Sequence, residues 1–309
     1  MSRFFIVCLI LVSWACTSED KDTQPLDPTE DDTAQLNAAL ERYVQGYLAY
    51  QRTQVRAGEA VGSCTAGSLS IGLQDSIIQV INYFRRECYL PEVSLNTANQ
   101  AACQQAALMI GANGGSTRPD PPATWLCYTP AGASIMASGN TLSGREGTEA
   151  ILSWMLDEGV SNTATPNRRR ILYTRAGSFG TGGNAQATTL WTQDSSGNQT
   201  NLPPFIAYPP ERFFPSPLVP KRWSFSIPGA DFGSAVVSMS NRLNGQSIVV
   251  QKNILNNQVG DATLTWEVGS LPLPPPAGFI PYTVQIENVL IDGQARRYSY
   301  TVQIFNPIR

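Results

Sequence analysis

The spacing of apolar residues divides the chain into two halves with different periods. From Ala34 to about Glu158, apolar residues recur every three or four positions, as on one face of an α-helix. We therefore predict four helices here, the second with Asp75 as its N-cap, at about 34–55, 75–88, 94–115 and 146–159. Two short β-prone runs follow, separated by glycine, and we interpret residues 170–182 and 188–193 as paired strands.

The pattern changes after Asp194. A proline-dense stretch comes first and predicts a stiff, non-helical linker at 197–214. Beyond it, apolar and polar residues alternate, which predicts an all-β, Ig-like sandwich over 215–309 with six strands: 222–227, 234–240, 246–254, 262–268, 282–291 and 296–305. Together with a helical domain at 34–196, the predicted fold class is α+β.

The first residues have the pattern of an export signal. Residues 1–15 combine a positive start with an apolar run too short to span a membrane, which predicts a signal peptide. The following Cys16 resembles the acylated cysteine of a bacterial lipoprotein, although Ser13 and Trp14 depart from the residues that usually precede it. The alternative to lipidation is an uncleaved membrane anchor or cleavage by an ordinary signal peptidase. Residues 16–33 are acidic and predict a disordered tether. We expect an exported protein, lipid-anchored at the outer membrane or cell surface, or secreted if Cys16 is not lipidated.

Composition removes several classes of function. The chain has 309 residues, a formal net charge of −3 and 15% charged residues, so no nucleic-acid partner is expected. It contains no histidine, which excludes Ser-His-Asp and Cys-His catalysis because the general base is missing. The one Ser-x-x-Lys match, Ser18 to Lys21, lies in the predicted tether.

Four cysteines remain for the exported part of the chain: Cys64, Cys88, Cys103 and Cys127. An even number in an exported protein favours disulfides. Of the three possible pairings we predict Cys103–Cys127 with Cys64–Cys88. A zinc site built from all four is the rival interpretation, but the close Cys-x-x-Cys spacing of such sites is missing.

Six motifs in the helical half, within residues 75–194, resemble in order those of the CAP superfamily, which groups cysteine-rich secretory proteins, antigen five and plant pathogenesis-related proteins. They are "VINYFRRECYLPEVSLN", "CQQAALMIGANGG", "PPATWLCYTPAGASIMASGNTL", "AILSWMLDEGVSN", "NRRRIL" and "GTGGNAQATTLWTQ". The resemblance implies an α-β-α sandwich with a central groove, covering some two-fifths of the chain.

In many members of that superfamily the groove holds two histidines and two acids that can bind a divalent metal. Here Asn167 and Arg168 occupy the positions of the histidine and the arginine in the family's usual Gly-His-Arg motif. Arg118 or Asp120 stands near the position of the family's earlier histidine, and Asn140 stands near the position of its usual glutamate. Neither asparagine nor arginine replaces an imidazole, and a fixed positive charge repels a cation. We therefore expect no metal and no cofactor, and we treat these five residues as candidate groove residues for ligand binding, with Arg168 as a structural anchor of the groove floor.

The leading hypothesis is thus a non-enzymatic, CAP-like binding or adhesion lipoprotein that meets an envelope or extracellular ligand of lipid or glycan type. One alternative is an envelope hydrolase that acts on glycan or peptidoglycan through carboxylates, for which Asp120, Glu146, Glu149 and Asp157 are the candidates. Glu146 and Glu149 could equally be acids that start a helix. A purely structural surface protein is the third hypothesis.

Overall fold

A computed structural model describes residues 29–51, 56–160, 162–254 and 258–308. The predicted signal peptide (1–15), Cys16 and the tether up to residue 28 lie outside the described residues. In the part of the chain that is described, no helix is long and apolar enough to cross a membrane.

Six α-helices lie in the described residues of the first half: α1 Glu30–Gly46, α2 Ile71–Glu87, α3 Gln100–Ala112, α4 Pro130–Ser138, α5 Gly147–Leu156 and α6 Pro166–Ile171. The first begins four residues earlier than predicted, because Thr29 and Asp32 form a reciprocal capping box. The last four tether residues are therefore helical, which corrects the boundary at residue 33.

Other helix predictions also need correction. The helix predicted at 94–115 begins only at Gln100, because Ser94–Leu95 form a short strand, and the helix predicted at 34–55 ends at Gly46. Helix α2 starts at Ile71, where the side chain of Ser70 accepts a hydrogen bond from the backbone N–H of Leu73, so Ser70 and not Asp75 is its N-cap. The start of the β-prone run at 170–182 belongs to helix α6, and the strand begins only at Ser178. Helix α4 was not predicted as a separate element.

The first half is an α-β-α sandwich. Its four-stranded sheet has the order β3-β5-β6-β4. Ala187 packs with α3 and α4 in one apolar cluster, whereas Leu190, three positions along the same strand, packs with α2 and α5 in another. Residues an odd number apart on a strand face opposite sides, so helices cover both faces of the sheet. The strands are β3 Ser94–Leu95, β4 Asn140–Ser143, β5 Ser178–Gly183 and β6 Ala187–Trp191, beside a separate hairpin of β1 Arg56–Ala60 and β2 Thr65–Leu69.

The second half contains two sheets, with strand orders β11-β10-β14-β15-β8 and β12-β13-β9-β7. All six predicted strands are present, although the run at 246–254 is split in two. Two further strands, β7 and most of β8, occupy the predicted linker. Their apolar side chains from Ile206 to Tyr208 and at Phe213 and Phe214 are buried in the core, which corrects the linker prediction. The strands are β7 Ile206–Tyr208, β8 Phe213–Pro215, β9 Arg222–Ser226, β10 Val236–Asn241, β11 Ser247–Ile248, β12 Val250–Lys252, β13 Thr263–Val268, β14 Phe279–Ile291 and β15 Gln294–Phe305.

The two halves share one apolar core. A single cluster of buried side chains runs from α2 and α5 into both sheets of the sandwich, and it includes Trp154, Tyr208 and Trp223. Helix α1 also packs against β8. Folding of one half therefore leaves apolar surface that only the other half covers.

The predicted disulfide pairing is wrong. Cys64 and Cys127 are bonded, with their Cα atoms 5.1 Å apart, while Cys88 and Cys103 are free and buried. The free thiols lie in different apolar clusters, Cys88 beyond the end of α2 and Cys103 within α3. Because the sheet separates these clusters, the two cysteines pack as small apolar side chains and cannot meet.

Candidate functional site

The arginine segment, residues 165–171, begins at a helix start that a distant carboxylate caps. Thr165 has a left-handed backbone (φ 47°) and its side chain makes no cap. Asp157, the residue after α5, caps α6 instead. Its Oδ2 accepts hydrogen bonds from the backbone N–H of Asn167 at 2.9 Å and from that of Arg168 at 3.1 Å. Its Oδ1 accepts the side-chain amide of Asn167 at 2.9 Å. Asp157 thus fixes α6 against the end of α5.

Arg168 joins the two halves of the protein. Its side chain is 0% exposed. Nε donates to the carbonyl of Met155 at 2.6 Å and Nη2 to that of Leu156 at 2.9 Å, both in α5. Nη1 donates to the carbonyl of Arg222 at 2.8 Å and to Oγ of Ser224 at 3.1 Å, both in β9. This placement links α5 to β9 and gives Arg168 no access to a ligand in solvent.

Asn140 lies beside the arginine segment. It is fully buried at the start of β4, and its Nδ2 donates to the carbonyl of Asn167 at 3.1 Å. Its Oδ1 accepts from Nη1 of Arg170 at 3.3 Å. The structure therefore brings together Asn140, Asn167 and Arg168 of the five predicted residues, but their polar atoms bond to neighbouring side chains and to the backbone.

Burial controls the ionisation of this cluster. Desolvation raises the pKa of Asp157, and the nearby Arg168 charge and the hydrogen bonds from Asn167 and Arg168 oppose that rise. Desolvation likewise lowers the pKa of Arg168 to about 10, against the attraction of Asp157. Arg168 remains charged at neutral pH, and its guanidinium donates to backbone carbonyls and to Ser224 rather than to the Asp157 carboxylate, so its charge has a structural role.

The space beside Arg168 is too small for a ligand. The gap that Arg168 and Arg169 line with Asp261 holds about 10 Å³. A single water needs roughly 10–15 Å³. No substrate or cofactor fits here.

Arg118 and Asp120 lie in the α3–α4 loop, residues 113–129, and pair with each other. Nε and Nη2 of Arg118 donate to the two carboxylate oxygens of Asp120 at 2.9 and 2.8 Å. The side chains are 47% and 75% exposed. This pair stays accessible to solvent, in contrast to the buried cluster around Arg168.

The carboxylates of the hydrolase hypothesis lie at three places in the structure. Glu146 is the N-cap residue of α5 and Glu149 is an exposed acid in its first turn, as the helix-start interpretation predicts. Asp157 is committed to capping α6, and Asp120 to Arg118. Among the residues that the structure describes, no group of three or more His, Cys, Asp or Glu side chains could hold a metal ion.

Sequence reasoning missed further polar residues that fix the fold. Arg222 donates to the carbonyls of Asp157 and Asn162, both at 3.0 Å, and so adds a second link between the halves. Asp261 accepts the backbone N–H of Thr174 at 2.9 Å, and its carbonyl accepts from Arg169. These partners lie 60 or more positions apart along the chain, so no local motif marks them.

Comparison with known proteins gives one family. Residues 78–194 match the model of the family described as CAP, the Cysteine-rich secretory protein family. The match runs from α2 to just beyond β6, so it covers the α-β-α sandwich and not the second half. A search of curated proteins found no match.

Proposed function

Residues 78–194 belong to the Cysteine-rich secretory protein (CAP) family, and from this premise we propose that the chain is a non-catalytic binding or adhesion protein of the cell envelope. The observation that carries the proposal is the closed cluster around Arg168. Where the family resemblance leads one to look for metal ligands, the side chains of Asn140, Asn167 and Arg168 bond to neighbouring side chains and to backbone carbonyls. The domain keeps the fold and uses the position for stability.

The metal that the resemblance implies does not fit these residues. Asn140 and Asn167 offer amide groups that already bond to Arg170 and Asp157. Arg168 brings a positive charge to the same place and would repel a cation. We infer a degenerate site, and no reaction step passes through a metal here.

A hydrolase is less well supported. Glycosidic cleavage needs two carboxylates that face a common substrate about 5–10 Å apart. Asp120 is paired with Arg118 in an exposed loop, and Asp157 is buried under the start of α6. Neither arrangement leaves a free acid opposite a free base.

The envelope location rests on the sequence of the first sixteen residues. We propose that Cys16 is acylated and that the acidic tether separates the membrane from α1. Expression of the full chain in a bacterial host fed a labelled fatty acid tests this. Label should stay with the membrane fraction, and Cys16→Ala should release an unlabelled chain; membrane retention of the variant would contradict lipid anchoring.

Two assays on the purified full chain test the absence of catalysis. Calorimetric titration with zinc should give no tight binding, and incubation with peptidoglycan fragments or glycans should give no cleavage. Tight zinc binding would overturn the degenerate site. Cleavage that Asp120→Asn or Glu146→Gln abolishes would establish the hydrolase instead.

A further inference from the structure

The Cys64–Cys127 disulfide lies at the surface and joins two separate parts of the first half. Cys64 is exposed in the turn between β1 and β2, and Cys127 is half-buried in the α3–α4 loop. The free cysteines are placed differently, since Cys88 is only 2% exposed and Cys103 is 0% exposed. A thiol in solvent therefore meets the disulfide and not the free cysteines.

Both bonded cysteines hold a backbone conformation that residues with a side chain rarely adopt. Cys64 has a φ of 54° and Cys127 has a φ of 58°, so both are left-handed. This conformation is strained because Cβ comes close to the following carbonyl oxygen. Exposed or strained disulfides are reduced more readily than buried, relaxed ones, and they are the kind that serve regulation.

The hairpin of β1 and β2 and the α3–α4 loop each have other attachments to the domain. Nε2 of Gln104, in α3, donates to the carbonyl of Ala66 in β2 at 2.8 Å. The loop continues from α3 into α4, and both helices pack in one apolar cluster. Reduction should therefore leave the fold intact. Near the bond, the exposed hydrogen bonds between Asn113 and Leu126 still hold the loop, but such bonds open readily because water replaces them.

Apolar side chains lie on both sides of the bond. Trp125 and Tyr128 of the loop pack against the cluster formed by α3 and α4. Leu126 is 53% exposed, and Val61, in the opposite turn, is 38% exposed. Sγ of Cys127 lies 3.4 Å from the carbonyl oxygen of Val61, so the bond keeps the turn and the loop together. Movement of the loop away from the turn would uncover further apolar surface.

We propose that Cys64–Cys127 is a redox-sensitive link: a small thiol reduces it in the folded protein, and the α3–α4 loop then separates from the β1–β2 turn. A thiolate attacks Sγ of Cys64 and forms a mixed disulfide there, and Cys127 leaves as a thiolate that takes up a proton. A second thiol attacks the mixed disulfide and releases Cys64. The protein thus gains two electrons and two protons, and two thiols become one disulfide. This inference is independent of the proposed binding role.

The test is incubation of the purified full chain with excess reduced glutathione and no denaturant, followed by alkylation and peptide mapping. Structural disulfides resist glutathione, so alkylation of Cys64 and Cys127 would mark this bond as reducible. Cys88 and Cys103 should stay unlabelled, since the fold persists. Hydrogen exchange followed by mass spectrometry should be at least about tenfold faster in residues 122–129 of the reduced chain and unchanged in β14 and β15.

The double variant Cys64→Ser with Cys127→Ser is the control. Its hydrogen exchange should match that of the reduced wild type, and glutathione should leave it unchanged. A bond that stays oxidised until denaturant is added, alkylation of Cys88 or Cys103 together with the bonded pair, or equal exchange of the oxidised and reduced chains would overturn the inference. The fatty-acid labelling and the zinc titration do not involve this bond, so the proposed function stands or fails separately.

Discussion

The arginine segment and the α3–α4 loop both carry residues that the sequence singled out, and they use arginine in opposite ways. Arg168 is completely buried and donates to groups in α5 and β9, so its guanidinium links the two halves of the protein. Arg118 is 47% exposed and bonds to Asp120 two positions away. The same side chain is structural in one place and solvent-facing in the other because of what surrounds it.

The two regions are also fastened differently. The Cys64–Cys127 disulfide ties the loop covalently. Hydrogen bonds add to this: the side-chain amide of Asn113 donates to the carbonyl of Leu126 and accepts from its backbone N–H. The arginine segment is held by hydrogen bonds, including those to Asp157, and by the packing of Ile171 in the apolar core. Loss of a polar side chain should therefore lower the free energy of unfolding strongly in the arginine segment and little in the loop. In the loop, loss of the disulfide should have the larger effect.

The largest effect should come from Arg168→Met. The substitution leaves the carbonyls of Met155, Leu156 and Arg222 without their donor and Asp157 without its opposite charge. Each buried acceptor left without its donor costs about 1–3 kcal/mol, so the total loss should be about 3 kcal/mol or more. Urea unfolding followed by tryptophan fluorescence measures the loss.

Arg118→Met is the matched control for this substitution. It removes the same functional group from an exposed ion pair, so the unfolding midpoint should stay where it is. Equal losses in the two variants would refute the contrast between the segment and the loop.

The next effect is that of the disulfide. Cys64 and Cys127 are 63 positions apart, so the bond closes a long loop in the unfolded chain. The double substitution to serine should lower the free energy of unfolding by about 2–4 kcal/mol. A reducing agent should destabilise the wild type by the same amount and leave the double variant unchanged. Destabilisation of the double variant by the reductant would show that another bond carries the effect.

Asp157→Asn should cost less, about 1–3 kcal/mol, because the shape is kept and only one oxygen is replaced. The new amide would point a donor at the backbone N–H groups of Asn167 or Arg168. Chemical denaturation measures the loss, and Asp120→Asn in the exposed loop is the control. Equal stability of the Asp157 variant and the wild type would contradict the capping role of this carboxylate.

Much of the fold follows from local patterns. The six strands of the second half are predicted because alternation with a period of two reports a half-buried strand directly. The helical half is predicted in outline, and the CAP resemblance supplies its layers. The predictions fail where tertiary contacts override local preference: β7 and β8 are proline-flanked yet complete the sandwich, and α6 is capped by a residue outside its own sequence.

The candidate site is predicted in position more than in role. Asn140, Asn167 and Arg168 lie together, whereas Arg118 and Asp120 pair with each other in the exposed loop. Their burial was not predictable, since Arg168 is covered by β9, more than fifty positions later in the chain. The disulfide prediction failed for the same reason, because which cysteines face solvent depends on the packing of α3 against the sheet.

The smallest effect is a change in one ionisation equilibrium in the loop. The hydrogen bonds and charge of Arg118 hold the pKa of Asp120 below its ordinary value. A lowered pKa in the folded state favours folding above the ordinary pKa, and that contribution is lost as the pH falls through the lowered value. Arg118→Met should raise the pKa of Asp120 towards its ordinary value, observed by NMR titration of the side-chain carboxyl carbon. The same titration in Arg168→Lys should leave Asp120 unchanged, since the two regions share no ion pair; a shift there would show that the segment and the loop are coupled.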